Sequence, residues 1–413
     1  MPRQRTPTVL VAGAGTVGLG IAALLATGRC ADRLRVQVIE ARPLPRWRAE
    51  HTDLRVYALS RASQQLLEAL GVWQGVVAAR ASPYRRMHVW EGTDASGPPT
   101  LDFDAADIGE PDLGHIVEDN LLRTLLADVV TAAPNAELTI GGGITALDVG
   151  RRGVTATLAN GGSAQGAVIV AADGSESSLR AMLGLPVAAR SYEQTAIVTH
   201  VASALPHRET ASQRFLPGGP LAFLPLADGR SSVVWSLPTD RATALLAAPD
   251  GELVAELQQA SAGVLGELTP SAARAGFPLQ ALHALRYCAA RAALVGDAAH
   301  TIHPLAGQGM NLGLLDAAAL AAVIEDAVLA GEDPGDLKVL RRYERDRKGD
   351  NLQMLLALDG LHRLFGLPAW AAPIRAAGLR AVDSSGAAKR LFMERALGLN
   401  AGSKNRLRWS HAT

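Results

Sequence analysis

Apolar positions at the start of the chain alternate between short continuous runs and a longer stretch of small residues. Residues 8–12 form a brief apolar run that ends at glycine, which predicts a buried strand. Residues 17–27 are small and apolar, which predicts a helix packed closely on that strand. Residues 35–40 are the next apolar run and predict a second, parallel strand. Together they make a βαβ unit. Further on, the pattern predicts a helix over 62–70 closed by Gly71 and another over 121–131. Two apolar runs, 154–158 and 167–172, flank Asn160-Gly161, a hairpin-turn signal. Between about 190 and 240 the period changes to that of strands, at 194–201, 221–226 and 232–237. Gly218-Gly219-Pro220 and Asp228-Gly229 stand between them as turns. Residues 292–295 return to a buried strand, 310–330 to a long helix stopping at Gly331, and the chain is helical from about 345 to near its end.

This order predicts an α/β fold with interleaved parts. The first is a Rossmann-like dinucleotide domain over 1–75, 103–185 and 275–345. The second is a β-sheet substrate domain over 76–102 and 186–274. A C-terminal helical region spans 346–413. No internal repeat or low-complexity linker appears.

Composition narrows the function classes. The 413 residues suffice for two or three domains, and 48% are hydrophobic. Lys+Arg and Asp+Glu are each 40, so the net charge of zero argues against nucleic acid as a partner. The small basic groups Arg3, Arg5 and Lys404, Arg406, Arg408 do not change that. Two cysteines, Cys30 and Cys288, exclude a disulfide scaffold and suit a reducing cytoplasm. The apolar N-terminus is interrupted by glycines at 13, 15, 18 and 20, so it reads as neither signal peptide nor membrane span.

Two glycine turns carry the chemistry. Gly13-x-Gly15-x-x-Gly18 lies between a predicted strand and helix. Its first glycine turns the chain, the second admits a pyrophosphate, and the third packs helix on strand, with the helix N-terminus facing the phosphates. Glu40 follows about 20 residues on, where a carboxylate accepts from an adenosine ribose. Gly307-Gln308-Gly309 precedes the second long helix and removes side chains where backbone would touch a flat ligand. Its free N–H groups would stabilise negative charge on a reduced isoalloxazine. Asp297, after a strand and Gly296, can reach a ribityl hydroxyl. A ligand held at both ends points to resident FAD.

Several features have a plainer reading beside a functional one. Asp297, His300 and His303 read as two histidines and a carboxylate for iron, or as histidines bonded in a packed turn. Pro304 directly after His303 favours the turn, and no metal is expected. Asp53-Leu54-Arg55 before Ala58-Leu59-Ser60 is solvated surface or a cofactor contact. Asp173 caps the helix after Ser177. His115 is a structural histidine or a base, and no catalytic residue is assigned. Gly141-Gly142-Gly143 is a poor nucleotide motif because no helix follows. The 361–379 segment around Trp370, with Arg363, Arg375 and Arg380, is a membrane-surface helix or a core or subunit-interface helix.

The glycine motif with Glu40, the Asp173-Gly174 segment and Gly296-Asp297 resemble flavin monooxygenases of the para-hydroxybenzoate hydroxylase type. Narrower stretches resemble the ubiquinone-biosynthesis hydroxylases: Asp53-Leu54-Arg55-x-x-Ala58-Leu59-Ser60, Leu113-Gly114-His115-Ile116-Val117-Glu118, His303 through Gly313, and Leu340-Arg341-Arg342-Tyr343-Glu344-Arg345. The resemblance runs from about 8 to about 400. It leans to the 2-polyprenylphenol hydroxylase branch, with the 3-demethoxyubiquinol branch close behind. It implies that Gly13, Gly15, Val17, Gly18 and Glu40 hold the ADP half of FAD. Arg55 would lie along the pyrophosphate and flavin, and Asp297 would bind the ribityl chain. Pro304, Gly307, Gln308, Gly309 and Asn311 would surround the ring. Asp119 departs from the pattern, standing where relatives usually carry Asn.

The implied reaction uses transient NAD(P)H and molecular oxygen, through a flavin hydroperoxide, to hydroxylate a prenylated phenol. Residues 190–240 and the segment 84–90 would form the ring pocket. The implied setting is cytoplasmic, with a site at the inner face of the membrane, a biosynthetic complex or a homo-oligomer as candidate partners. A hydroxylase of small soluble phenols and a flavin-binding scaffold are the alternatives.

Overall fold

In the computed structural model the described residues are 6–92, 95 and 100–398. The basic groups near both termini therefore lie outside them. Val9, Leu10 and Val11 are fully buried, as a parallel strand covered on both faces must be. Their strand, Thr8–Ala12, sits near the middle of a six-stranded sheet. It pairs in parallel with Arg35–Glu40 on one side and Val168–Ala171 on the other. Ala136–Ile140, Ala292–Leu294 and Cys288–Ala289 complete the sheet. The helix Thr16–Thr27 is buried along most of its length, because it packs against the helices Asp119–Ala132 and Gln308–Leu329 as well as the sheet.

The second body is a nine-stranded sheet. Its long central strand, Val187–Ser203, pairs with Ser231–Pro238 and Ala275–Ala284. Thr210–Leu216, Gly219–Pro225, Arg86–Glu91 and Thr100–Asp104 extend it on one side, and His300–Thr301 closes the other. The chain passes between the two sheets several times, so the bodies are interleaved as expected.

Three expectations are corrected. The Asn160-Gly161 turn is real, with Gly161 at φ 83°, but Val154–Leu158 pairs across it with Ser163–Gly166. Val168–Ala171 instead enters the six-stranded sheet beside the first strand, where both its faces are covered. The hairpin turn after Thr210–Leu216 falls before Gly219, which already belongs to the next strand. There Gly219 has φ 142° and a Cβ would lie 2.4 Å from the Ser236 carbonyl oxygen, so a close strand contact and not the turn demands glycine. Ala275–Ala284, assigned by pattern to the dinucleotide part, pairs with Val187–Ser203 and belongs to the large sheet.

The C-terminal helices Leu337–Phe365, Ala372–Ser384 and Gly386–Ala396 wrap the outside of the molecule. Phe365, Leu358, Leu379 and Val382 pack on Val89, Leu101, Phe215, Ile302 and Leu305, which joins the helices to the large sheet.

Gly18 fixes the distance between the first helix and the first sheet. A Cβ there would lie 2.0 Å from the Gly13 carbonyl oxygen and 3.2 Å from the Ala172 Cβ. Gly18→Val is therefore expected to prevent stable folding, since overpacking of this kind costs about 1–3 kcal/mol or more. Thermal unfolding followed by circular dichroism checks this; a wild-type melting temperature would contradict the packing.

Candidate functional site

A single trough of about 990 Å³ runs between the two sheets. That is the upper end of the range for ligand pockets, roughly 300–1,000 Å³. At one end it is lined by Gly13, Gly15, Val17, Glu40 and Arg42. Along its length lie Arg55, Asp173 and Asp297, and then Pro304, Gly307 and Gly309. The far wall is the large sheet, which presents Ala196, Val198, Ala211, Ala222, Val234 and Phe277, with Tyr84 and Met87 beside them. The early and late glycine turns thus face one space. They also touch through Val17, whose methyls lie 3.3 Å from a Cβ built on Gly296 and 2.7 Å from one on Gly313.

The early turn is held from both sides. Ala14 N–H donates to Glu40 Oε2 at 2.7 Å, and Arg42 N–H donates to Oε1 at 3.0 Å. Thr16 Oγ1 donates to Asp119 Oδ1 at 2.9 Å, and Arg123 Nε donates to the Ala14 carbonyl at 3.3 Å. Asp119 is therefore an anchor of the glycine turn. Gly13, at φ 100°, has no room for a Cβ, which would meet the Ala172 carbonyl oxygen at 2.4 Å. A Cβ on Gly15 meets nothing within 4 Å, so packing does not demand glycine at this position, which opens on the trough.

The late turn opens the helix Gln308–Leu329, whose N-cap is Gly307 at φ 61° with no side-chain cap. The helix begins two residues earlier than the apolar pattern indicates, so Gln308 and Gly309 stand in its first turn. The N–H groups of that turn suit a ligand carrying negative charge. Gly309 has open space beside it, with Ile302 Cγ1 at 3.8 Å.

Arg55 is exposed to the trough, with its guanidinium 5.0 Å from the Phe277 ring centroid. Desolvation works against its charge, but Tyr57, Asp119 and Asp297 outweigh it and hold its pKa above the ordinary value. Burial raises the Asp297 carboxyl above the usual carboxylate range, with His300 and Arg55 opposing. The trough thus offers an arginine and a carboxyl at mid-length, between two turns stripped of side chains.

Three of the expected contacts do not line the trough. Gly18 is consumed by helix packing, as its place in the motif implies. Gln308 is buried. Asn311 is a staple: its Oδ1 accepts from Ser60 N–H at 2.9 Å and Ser63 Oγ at 2.7 Å, and its Nδ2 donates to the Ala58 carbonyl at 2.9 Å. It locks the late helix to the segment that carries Arg55.

The histidines have other partners. His300 Nε2 lies 2.5 Å from Asp316 Oδ2 and His303 Nε2 lies 3.3 Å from Gln194 Oε1. Among the described residues no group of three His, Cys, Asp or Glu side chains gathers in a metal-binding arrangement. His115 packs edge-on against Trp73 at 4.9 Å, 3.7 Å from Asp112, and burial lowers its pKa. The N-cap of the helix Ser178–Met182 is Ser177, whose Oγ accepts from Arg180 N–H at 3.0 Å, and Asp173 stands behind it, accepting from Ser177 Oγ and Leu179 N–H.

Sequence reasoning missed Asp316, a fully buried carboxylate in the otherwise apolar helical stretch Leu312–Ile324. It accepts from Gly296 N–H at 3.2 Å, Arg347 Nε at 3.0 Å and Asn351 Nδ2 at 2.9 Å, besides meeting His300. Burial alone would raise its pKa, but His300 and Arg347 outweigh this and lower it. The one available signal was an acid set among Leu and Ala, with Arg347 and Asn351 four residues apart on the next helix. This clamp fixes the Gly296–His300 turn from behind.

Comparison with known proteins agrees with the geometry. Residues 6–355 match a family described as an FAD binding domain. The chain is 38% identical over 396 residues to ubiquinone hydroxylase UbiL of Rhodospirillum rubrum, covering 96% of this chain and 90% of that protein. It is 38% identical over 405 residues to the 3-demethoxyubiquinol 3-hydroxylase of Escherichia coli, covering 97% and 100%. The solved structure of PqsL, a probable FAD-dependent monooxygenase of Pseudomonas aeruginosa, superposes with a TM-score of 0.76 at 26% identity, covering 91% of this chain and 99% of that one.

Two substitutions separate ligand contact from scaffold. Gly15→Leu should fold normally but purify without bound flavin, because its side chain enters open trough; visible absorbance and melting temperature read the two effects, and yellow protein would refute the placement. Asp316→Ala removes the one buried carboxylate that Arg347 and His300 share, leaving Arg347 only Asn351 and the exposed Asp350, at a cost of about 3–5 kcal/mol. A fall in melting temperature together with weaker flavin retention is expected, and an unchanged melting temperature would contradict the clamp.

Proposed function

The chain belongs to the FAD-dependent aromatic hydroxylases of ubiquinone biosynthesis, and from that membership we propose that it hydroxylates the ring of a polyprenylated phenol. The observation that carries this reading is the single trough, polar and glycine-lined where FAD would lie and apolar where a ring and its prenyl chain would lie. When bound, FAD reduced by NAD(P)H supplies the means to activate molecular oxygen.

The protein's part is placement. Gly13, Gly15 and Val17 would border the pyrophosphate, and Glu40 would meet the adenosine ribose. Arg55 would lie over the middle of the cofactor and Asp297 beside its ribityl chain. Pro304, Gly307 and Gly309 would border the flavin ring, with the first turn of the late helix facing its negative edge. Gly18 packs the first helix, and Asn311 holds the ring-binding turn in place. The fit is good because Gly15 and Gly309, at which a side chain would obstruct the cofactor, open onto the trough.

The sheet wall holds the substrate. Its alanines at 196, 211 and 222 leave width for a ring, while Phe277, Leu279 and Leu224 supply apolar contact. Polar groups on this wall are few. Gln213 and Ser232 line it. Packing a ring here excludes water from the reacting edge and orients it toward the late turn.

Identity to the demethoxyubiquinol enzyme supports a second reading, in which the substrate is a more elaborated ring of the same pathway. A cytoplasmic enzyme working at the inner membrane face, or within a biosynthetic complex, fits either substrate.

Purified enzyme with NADPH is expected to give hydroxylated product from prenylated phenols, with substrate-stimulated NADPH oxidation. Product from short phenols alone, or no stimulation by any phenol, would overturn the proposal. Complementation of separate ubiquinone-pathway deletion strains, with mass spectrometry of accumulated precursors, distinguishes the two substrates.

A further inference from the structure

The sheet wall of the trough is made mostly of alanine, valine and leucine side chains together with Phe277. Gln213 breaks that pattern. It lines the trough at 7% exposure, and its amide has no hydrogen-bond partner among the described residues. The wall's other polar side chains are committed or closed off. Thr301 Oγ1 donates to the Asp297 carbonyl at 3.3 Å, and Ser232 Oγ is sealed from the open space. Gln213 is therefore the hydrogen-bonding side chain that this wall offers a ligand.

The strand Thr210–Leu216 decides where that amide stands. Side chains alternate along it, so Ala211, Gln213 and Phe215 share one face, which borders the trough at 211 and 213. On the opposite face Arg214 is buried and donates to the Ala260 carbonyl at 2.7 Å and to the Gly92 carbonyl, which holds the strand in place. Phe215 lies one same-face step, roughly 7 Å, beyond Gln213. It packs in one cluster with Val89, Ile302 and Leu305. Val89 is the strand neighbour of Gln213, and Ile302 and Leu305 bracket Pro304 in the late turn. The amide thus stands at the late-turn end of the trough, and Ala222, directly across from it, is too short to cover it.

Solvent satisfies such an amide in an open trough. A ring packed against the wall excludes solvent, and the amide then needs a partner on the ring itself. A prenyl chain or a bare ring supplies none, whereas a ring hydroxyl does. We propose that Gln213 selects the substrate ring, its Oε1 accepting from the ring hydroxyl. Pinned at its oxygen, the ring keeps one edge toward the late turn. This role rests on the prenylated-phenol reading and gives it the residue that tells a phenol from the same ring without oxygen.

The test is titration of the full-length FAD-loaded protein with 2-geranylphenol and with geranylbenzene, followed by the change in flavin absorbance. Wild type is expected to bind the phenol about tenfold tighter, since the other ligand leaves the amide unbonded. Gln213→Leu and Gln213→Met should weaken the phenol about tenfold and leave geranylbenzene unchanged, with flavin content and melting temperature as in wild type. The wild-type comparison needs no variant and stands if one fails to fold. Equal wild-type affinity for the two ligands would overturn the role of Gln213 and leave the prenylated-phenol reading standing. So would variants that keep the preference, or that weaken both ligands alike, which assigns the glutamine to packing. Binding of neither ligand by wild type would overturn that reading and this role with it.

Discussion

Close approach of backbone to backbone is the constraint on which the rest of the site depends. Gly18 lets the first helix press on the Gly13 carbonyl, and Gly296 and Gly313 leave room for Val17 against the late loop. A methyl on Gly313 would lie 2.7 Å from a Val17 methyl and press apart two segments nearly three hundred residues distant, while one on Gly18 would drive the first helix off its own turn. Because the two segments cannot separate, they wall one trough. A long ligand can then be gripped at both ends without a hinge between its halves.

A second constraint keeps the trough rigid from behind. Asp316 gathers His300, Arg347, Asn351 and the Gly296 backbone around one buried carboxylate. A buried charge is tolerated only when it is paired and hydrogen-bonded, so the network has one arrangement of lowest energy. Asn311 does the same for the neighbouring turn. These residues touch no ligand, yet they set where Asp297 and Gly307 stand.

Local chemistry was legible in the sequence and long-range pairing was not. The βαβ unit, Glu40, and the glycines at 13, 15, 307 and 309 announce themselves because each answers a local demand of turn, helix start or open space. Asp173 was read as the cap of the next helix, a place that Ser177 holds with Asp173 accepting from its hydroxyl. The strand Val168–Ala171 was misread as a hairpin arm because an apolar run next to Asn-Gly looks the same whether its partner is adjacent or 160 residues away. Ala275–Ala284 was placed with the wrong sheet for the same reason. Asp316 went unnoticed since its partners lie on another helix and in a distant loop. Trp370 is 69% exposed, which removes the core reading and leaves membrane surface and subunit interface.

The most direct measurement of the central claim is a crystal structure of the purified yellow protein. The account predicts FAD extended along the trough, with adenosine at Glu40, pyrophosphate over Gly13 and Gly15, and the isoalloxazine at the first turn of the helix that begins at Gln308. Flavin bound elsewhere, or reaching one glycine turn and leaving the other facing solvent, would contradict it.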